Sequence, residues 1–186
     1  MVIRGEKVIL RSTTVNDIST VYKWATQSEA TPFLHGELYG DHIPTYQEFT
    51  RDWKRYYFDG SEPEKGRCFV ILAGDKAIGQ INYNEINRTN NSVELDIFIA
   101  EDANTGKGYG TDALRALSKY LFQNMNIQLC EIEPITKNPR AIRAYEKAGF
   151  EITRTFVENG IEWNHMELRN AKTTNLSDRS NYYQED

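Results

Sequence analysis

Apolar residues recur with helical spacing in the first third of the chain. Four of them between residues 18 and 25 follow the i, i+3, i+4, i+7 pattern that places them on one face of a helix. Thr14 and Asp17 precede this stripe with the spacing of a capping box. An aromatic stripe predicts a second helix over 45–57. The stretch 28–44 carries prolines and glycines and is predicted to be irregular.

Strand periodicity dominates the rest of the chain. Residues 92–100 alternate cleanly, with Glu94 and Asp96 on one face and apolar side chains on the other. Two further helices are predicted over 108–124 and 138–149. The remaining strands, each bounded by turn signals, are predicted at 7–11, 67–73, 76–85, 128–134, 150–157 and 161–168.

This succession of elements predicts the fold class. The order β-α-α-β-β-β-α-β-α-β-β combines antiparallel hairpins with a central crossover helix. It indicates an α/β (α+β) domain, with a mixed, mostly antiparallel sheet flanked by helices, and argues against a doubly wound fold. The length of 186 residues favours a single domain over 1–169. The polar, aperiodic residues 170–186 are predicted to form a flexible tail.

Charge and cysteine content narrow the possible partners. The net charge of -5 argues against a nucleic-acid partner and mildly favours a cationic one. Residues 1–6 lack the apolar core of a signal peptide, and no apolar run reaches membrane-spanning length. Cys68 and Cys130 lie in apolar runs without the spacing of metal ligands. We therefore expect a cytoplasmic protein with no metal, membrane or nucleic-acid partner.

A glycine-rich turn between a strand and a helix is the strongest candidate for a binding site. Residues 105–111 run T-G-K-G-Y-G-T, and glycines let main-chain N–H groups approach a phosphate closely. The spacing differs from the P-loop, because Gly108 follows Lys107 where Ser or Thr is required. It differs also from the G-x-G-x-x-G pattern of dinucleotide folds. A glycine-rich bend without a ligand is the alternative.

Two carboxylates on the strand before this turn are candidates for proton transfer. An amine that resembles lysine has a pKa of about 10.4, so it must lose a proton before it attacks an acyl group. Glu94 and Asp96 are close enough to repel each other, which raises the pKa of one of them, and together they attract a cation. The alternative is a solvated polar face of an antiparallel strand.

Two patterns between residues 92 and 150 resemble the GNAT superfamily of N-acetyltransferases. Gly108 and Gly110 match the small positions of the turn Arg/Gln-x-x-Gly-x-Gly/Ala, whereas Thr105 stands where Arg or Gln is usual. The segment 138–150 matches N-x-x-A-x-x-x-Y-x-x-x-G-F. The resemblance implies a GNAT-like sheet and acetyl-CoA as the cosubstrate.

The resemblance also implies roles for particular residues. In that family the tyrosine of the second pattern can protonate the departing CoA thiolate, which implies that Tyr145 is the general acid. Two strands splay apart, and the pantetheine arm pairs with strand 92–100 in the gap. The residues implied to bind the cofactor are Phe98, Ile99, Gly106, Lys107, Gly108, Gly110, Thr111 and Asn138. Simpler roles are a packing aromatic for Tyr145, a solvated charge for Lys107 and a helix cap for Asn138.

A narrower similarity concerns the acceptor. Asp96, the glycine turn and the run 140–150 are together similar to the aminoglycoside 6′-N-acetyltransferases, in which an aspartate at the matching strand position binds the amine and acts as base. That resemblance implies that Asp96 is the base, with Glu94 as the alternative. It implies direct transfer to a small cationic amine, such as an aminoglycoside. A protein N-terminal acetyltransferase of the ribosomal-protein type and a non-catalytic acyl-CoA sensor remain open.

The acceptor pocket and the oligomeric state are less constrained. The sequence leaves the oligomeric state open; members of the family often pair through their closing strands, which would give a homodimer. Aromatic and acidic residues of the first segment are candidates to line the acceptor pocket, although core and loop roles are the simpler explanation: Trp24, Glu29, Phe33, Glu37, Tyr39 and Asp41.

Overall fold

A computed structural model of the chain describes residues 1–35 and 42–171. Within these residues there are eight strands and five α-helices. The strands are β1 (Val2–Arg4), β2 (Ile9–Ser12), β3 (Arg67–Ala73), β4 (Lys76–Tyr83), β5 (Ser92–Ile99), β6 (Leu129–Ile132), β7 (Glu151–Glu158) and β8 (Ile161–Arg169). The helices are α1 (Ile18–Gln27), α2 (Tyr46–Asp52), α3 (Tyr56–Asp59), α4 (Tyr109–Asn124) and α5 (Pro139–Ala148).

All eight strands form one sheet in the order β1-β2-β3-β4-β5-β6-β8-β7. Neighbouring strands are antiparallel except β5 and β6, which are parallel because the crossover helix α4 joins them. The β7–β8 hairpin closes through Asn159 and Gly160, which both have positive φ, as a two-residue turn of this type requires. The predicted mixed, mostly antiparallel sheet flanked by helices is confirmed.

Each face of the sheet packs against its own set of helices. The larger core joins α4 and α5 to one face through residues such as Leu95, Leu114 and Leu117. The smaller core joins α1, α2 and α3 to the other face around Phe98 and Phe49. Leu95 and Phe98 belong to different cores because alternate residues of β5 point to opposite faces, as its sequence predicts.

The start of the sheet differs from the prediction. The sequence indicates one strand over 7–11, whereas the structure has two, β1 and β2, with Ile3 opposite Leu10. The main-chain N–H groups of Lys7 and Val8 leave the ladder because they donate to the buried carboxylate of Asp112, at 2.7 and 2.9 Å. This contact ties the β1–β2 turn to α4.

The predicted helix over 45–57 is also corrected. It is two helices, because Trp53 has ψ 91° and interrupts the chain between α2 and α3. Phe49 and Phe58 are both buried in the smaller core. At about 100° per residue, one continuous helix would place them on opposite faces. The break lets both side chains reach the core.

The end of the domain is attached to the sheet. Asn170 follows β8, and its main-chain N–H donates to the Gln128 carbonyl at 2.9 Å. The predicted tail beyond residue 171 lies outside the described residues. None of the described helices combines the length and the apolar character that crossing a membrane would demand.

Candidate active site

A gap between β5 and β6 creates the main cavity. The two strands pair only from Ser92 to Glu94, and beyond that point β5 continues beside β4 while β6 continues beside β8. The cavity has a volume of about 600 Å³. Its lining includes residues 96–99 of β5, the glycine turn, one face of α5, residues 132–135 and several residues that precede β5. The splayed strands implied by the family resemblance are therefore present.

The glycine turn presents main-chain donors to this cavity. Gly106 has φ 71° and Gly108 has φ 82°, a region that favours glycine. Among the described residues, the N–H groups of 106–111 find no protein acceptor. They lie at the N-terminus of α4, where the helix dipole also favours an anion. Gly110 also lines the cavity, but its φ is not positive. A methyl group at this position would make only an ordinary contact with Ile97.

Basic side chains of α5 face the same part of the cavity. Arg140, Arg143 and Lys147 line it, whereas the exposed Lys107 lies outside the lining. Arg140 donates to Asp102 at 2.7 Å and to the Thr105 hydroxyl at 3.3 Å. The sequence interpretation missed these cations, although 140, 143 and 147 are spaced to share one helix face.

Two predicted cofactor residues have structural contacts as well. The Thr111 hydroxyl donates to the Ala144 carbonyl at 3.0 Å and so joins α4 to α5. The Asn138 side chain accepts from the Ala141 N–H at 3.1 Å and caps α5. Both residues, like Phe98 and Ile99, also line the cavity.

Tyr145 lines the cavity from α5. Its side chain is only 9% exposed and belongs to the larger core. The packing role and the predicted position beside the cavity are therefore both present in one residue.

Asp96 lies on the cavity wall, opposite the glycine turn along β5. Its Oδ2 atom accepts from the side-chain amides of Asn82 and Asn84, at 3.0 and 2.9 Å. Asp96 itself remains exposed to the cavity. A carboxylate with one oxygen held by two amides keeps its other oxygen available for a cation.

Glu94 stands beside Asp96 on the same face but outside the cavity lining. Partial burial of its carboxyl, then repulsion by Asp96 and by Glu133, raises its pKa to about 7. The expected repulsion within the carboxylate pair is present, although desolvation is the larger cause.

Further acidic residues on the neighbouring strands extend this face. Glu131 lies opposite Glu94 in the parallel register, and Glu133 lines the cavity. His165, which is only 8% exposed, faces both of them, with its Nδ1 atom 2.7 Å from Glu133 Oε1. The sequence analysis missed these residues, because only the sheet order shows that β6 lies beside β5 and β8 beside β6.

Part of the predicted acceptor pocket falls within the described residues. Phe33 lines the cavity, together with Leu34, His35 and Trp53, which the sequence analysis did not single out. Trp24 packs against the smaller core instead. Glu29 accepts from the main chain of Asp102. The other three candidates, Glu37, Tyr39 and Asp41, lie outside the described residues.

Comparisons with known proteins identify the family of the chain. The family model "Acetyltransferase (GNAT) domain" matches residues 7–151. An aminoglycoside N(6′)-acetyltransferase type 1 of Klebsiella pneumoniae is 28% identical over 157 residues, which cover 79% of this chain and 75% of that protein. A spermidine N(1)-acetyltransferase of Vibrio cholerae is 28% identical over 107 residues, 57% of this chain and 59% of that protein.

Solved structures show the same fold. The aminoglycoside acetyltransferase AAC(6′)-Ib in complex with ribostamycin and coenzyme A superposes with a TM-score of 0.74 at 23% identity, covering 97% of this chain and 99% of that one. The Vibrio cholerae spermidine N-acetyltransferase with CoA and spermine gives 0.72 at 21% identity, covering 90% and 98%. The chain belongs to the GNAT acetyltransferase family. In the part of the chain that is described, no three His, Cys, Asp or Glu side chains are grouped to hold a metal ion.

Proposed function

We propose that this protein transfers an acetyl group from acetyl-CoA directly to a primary amine of an aminoglycoside-type acceptor. One observation carries the proposal: a single cavity of about 600 Å³ joins the unpaired main-chain donors of the glycine turn to the Asp96 carboxylate. The same cavity therefore holds groups that can bind the anionic cofactor and a group that can bind the cationic amine. The Klebsiella pneumoniae relative, an aminoglycoside N(6′)-acetyltransferase by name, supports this acceptor class.

The cofactor end is formed by the glycine turn and α5. The N–H groups of 106–111 bind the pyrophosphate of CoA, and Arg140, Arg143 and Lys147 add positive charge beside it. The edge of β5 at Phe98 and Ile99 borders the gap and offers main-chain partners to the pantetheine arm. Acetyl-CoA supplies the activated acyl group.

The acceptor end supplies the base. Asp96 binds the substrate ammonium and accepts its proton, directly or through water, because a protonated amine cannot attack a thioester. Glu94, with its pKa near neutrality, adds to the negative field behind Asp96 and is the alternative base. Tyr145 donates a proton to the departing thiolate, so the proton lost by the amine and the proton gained by the sulfur are both accounted for. No covalent bond to the enzyme is needed.

A thiol-release assay tests the proposal. With acetyl-CoA present, kanamycin should release free CoA thiol, whereas spermidine and peptides with a free N-terminus should release much less. Peptide-dependent release alone would favour the N-terminal acetyltransferase, and spermidine-dependent release would favour a polyamine enzyme. Acetyl-CoA binding without release for any amine would favour the acyl-CoA sensor.

Homodimer formation and a cytoplasmic location stay predictions. The family resemblance implies pairing through the closing strands, and β7 supports it as an edge strand that exposes 46% of Ile152 and 68% of Val157. Light scattering after size exclusion measures the mass directly. The buried free thiols of Cys68 and Cys130 are consistent with a reducing compartment.

A further inference from the structure

Three side-chain amides form a continuous row along β4 and its end. Gln80, Asn82 and Asn84 alternate along the chain, so they share one face of the sheet. Gln80 Nε2 donates to Asn82 Oδ1 at 3.0 Å, and Asn82 Nδ2 donates to Asn84 Oδ1 at 2.8 Å. Gln80 and Asn82 are almost completely buried. We call these three residues the amide row.

Both ends of the amide row accept a hydrogen bond from a side chain that carries a proton. The Cys68 thiol donates to Gln80 Oε1 at 2.7 Å, and the Tyr57 hydroxyl donates to Asn84 Oδ1 at 3.1 Å. Burial raises the pKa of the Cys68 thiol and of the Tyr57 phenol well above their usual ranges. Both groups therefore keep their protons near neutral pH.

These terminal donors and the Asp96 carboxylate, which can only accept, together set the direction of the amides between them. Because Cys68 donates to the Gln80 oxygen, the Gln80 nitrogen must face Asn82, and the Asn82 nitrogen must then face onwards. Tyr57 fixes Asn84 in the same way from the other end. As a result, the nitrogens of Asn82 and Asn84 both point at Asp96 Oδ2, at 3.0 and 2.9 Å.

We propose that Gln80, Asn82 and Asn84 are positioning residues that hold Asp96 in one rotamer, with Oδ1 directed at the acceptor amine. Hydrogen bonds from two amides fix the carboxylate without adding a positive charge that would compete with the substrate ammonium. An amide row of reversed direction would place carbonyl oxygens against the carboxylate and repel it. This inference rests on the proposed role of Asp96 as the base.

A double-mutant cycle tests the amide row. Asn84→Ala removes one donor from a half-buried position, so the variant is expected to fold. The kcat/KM for kanamycin should fall about 10-fold, because a hydrogen bond to a charged group is lost. The KM for acetyl-CoA should stay unchanged. In the Asp96→Asn background, Asn84→Ala should cost far less than in the wild type, because most of its effect acts through the Asp96 carboxylate and only its hydrogen bond to Glu94 remains.

A second variant replaces one amide of the row with a carboxylate of the same shape. Asn82→Asp turns a donor into an acceptor and adds a like charge beside Asp96, so kcat/KM should fall about 100-fold. Asn164→Asp is the matched control, because Asn164 is also a buried asparagine of the same sheet, and its side chain accepts from Thr155. The control should keep wild-type kcat/KM, even where its melting temperature falls.

The outcomes separate this inference from the proposed function. Equal losses from Asn84→Ala in the wild-type and Asp96→Asn backgrounds would show a purely structural role and overturn the inference. Full activity of both Asn84→Ala and Asn82→Asp, with Asp96→Asn inactive, would overturn it while the base assignment stands. If Asp96→Asn alone keeps wild-type activity, the assignment of the base is wrong.

Discussion

The two ends of the cavity are built in different ways. At the cofactor end, the donors are main-chain N–H groups of one contiguous turn, residues 106–111, continued by the N-terminus of α4. At the acceptor end, the carboxylate of Asp96 depends on side chains from β4 and, through them, on Cys68 of β3 and Tyr57 of α3. The proposed cofactor end is a local structure, whereas the acceptor end depends on contacts among β3, β4, β5 and α3.

This difference predicts how each end responds to change. A main-chain cradle is insensitive to most side-chain replacements and sensitive to any that alters backbone conformation. A side-chain network fails when one member loses a donor, since the buried partner is then unsatisfied. Variants at the two ends should therefore separate cleanly in the kinetic constant that they affect.

The largest expected effect is at the acceptor end. Asp96→Asn keeps the shape of the residue but removes the proposed base and the negative charge that binds the amine. The kcat/KM for kanamycin should fall by about 10²- to 10⁴-fold, the range for loss of a general base. The KM for acetyl-CoA should stay near the wild-type value, because the proposed cofactor contacts lie at the other end of β5. Steady-state kinetics with each substrate varied in turn measures both constants.

Equal loss of affinity for both substrates would contradict the separation of the two ends. Circular dichroism of the variant controls for folding. Asp75→Asn, in the exposed β3–β4 turn, is a matched control that should leave both constants unchanged.

The next effect breaks the cofactor end alone. Gly108→Ala introduces a side chain at φ 82°, which costs about 1–2 kcal/mol, and its Cβ would lie 3.2 Å from Lys7 Nζ. The turn should relax away from its donor geometry, so the KM for acetyl-CoA should rise about 10-fold. Gly74→Ala is the control, because Gly74 also has positive φ but has no neighbouring atom within 4 Å and does not line the cavity.

Both glycine variants should lose similar stability, but only Gly108→Ala should lose affinity for acetyl-CoA. Calorimetric titration with CoA measures that affinity without turnover. An unchanged affinity in Gly108→Ala would show that the turn does not hold the cofactor.

The same contrast explains how much the sequence could predict. The local structure at the proposed cofactor end was predictable, because the glycine turn and the α5 pattern are each contiguous in sequence and their residues carry their own conformational signals. Asn138, for example, caps α5 as predicted from its position before a proline. Most of the element order followed from periodicity, but the additional strand β1 and the break at Trp53 did not. The break depends on burying Phe58, which is a tertiary contact.

The acceptor end could be predicted only in part. Asp96 and Glu94 were identified as a pair on one strand face, but Asn82 and Asn84 carry no signal of their own in the sequence. Their role depends on the strand register that places Asn82 opposite Asp96. Glu133 was missed for a related reason, since only the parallel pairing of β5 with β6 brings it near Glu94. Long-range register is what local patterns cannot supply.

A smaller effect is expected from a basic side chain at the proposed cofactor end. Arg140→Ala removes a cation that lines the cavity and contacts Thr105, the residue that replaces the usual Arg or Gln of the family turn. The KM for acetyl-CoA should rise about 3-fold with kcat unchanged, because a half-exposed charge is screened by solvent. Arg51→Ala on α2 is the control, since Arg51 pairs with Asp52 away from the cavity.

Raising the salt concentration should reduce the difference in KM between Arg140→Ala and the wild type. A difference that persists at high salt would point to packing instead of charge.

The smallest effect concerns the stability cost of the acceptor end. The pKa of Glu94 is about 7 in the folded protein and keeps its ordinary value near 4.5 in the unfolded chain. Between these two pH values the folded state keeps a proton that the unfolded chain has released. The stabilising contribution of the protonated group is therefore present below that range and is lost as the pH rises to about 7. Glu94→Gln cannot ionise, so its melting temperature should match the wild type at pH of about 4 and exceed it by a few degrees at pH of about 8. Glu151 is an exposed glutamate on β7, in the same row of paired residues across the sheet as Glu94. For Glu151→Gln, the difference in melting temperature from the wild type should not increase with pH. A melting-temperature difference for Glu94→Gln that is independent of pH would mean that folding does not raise the pKa of Glu94, so that partial burial and repulsion at the acceptor end carry no cost in stability.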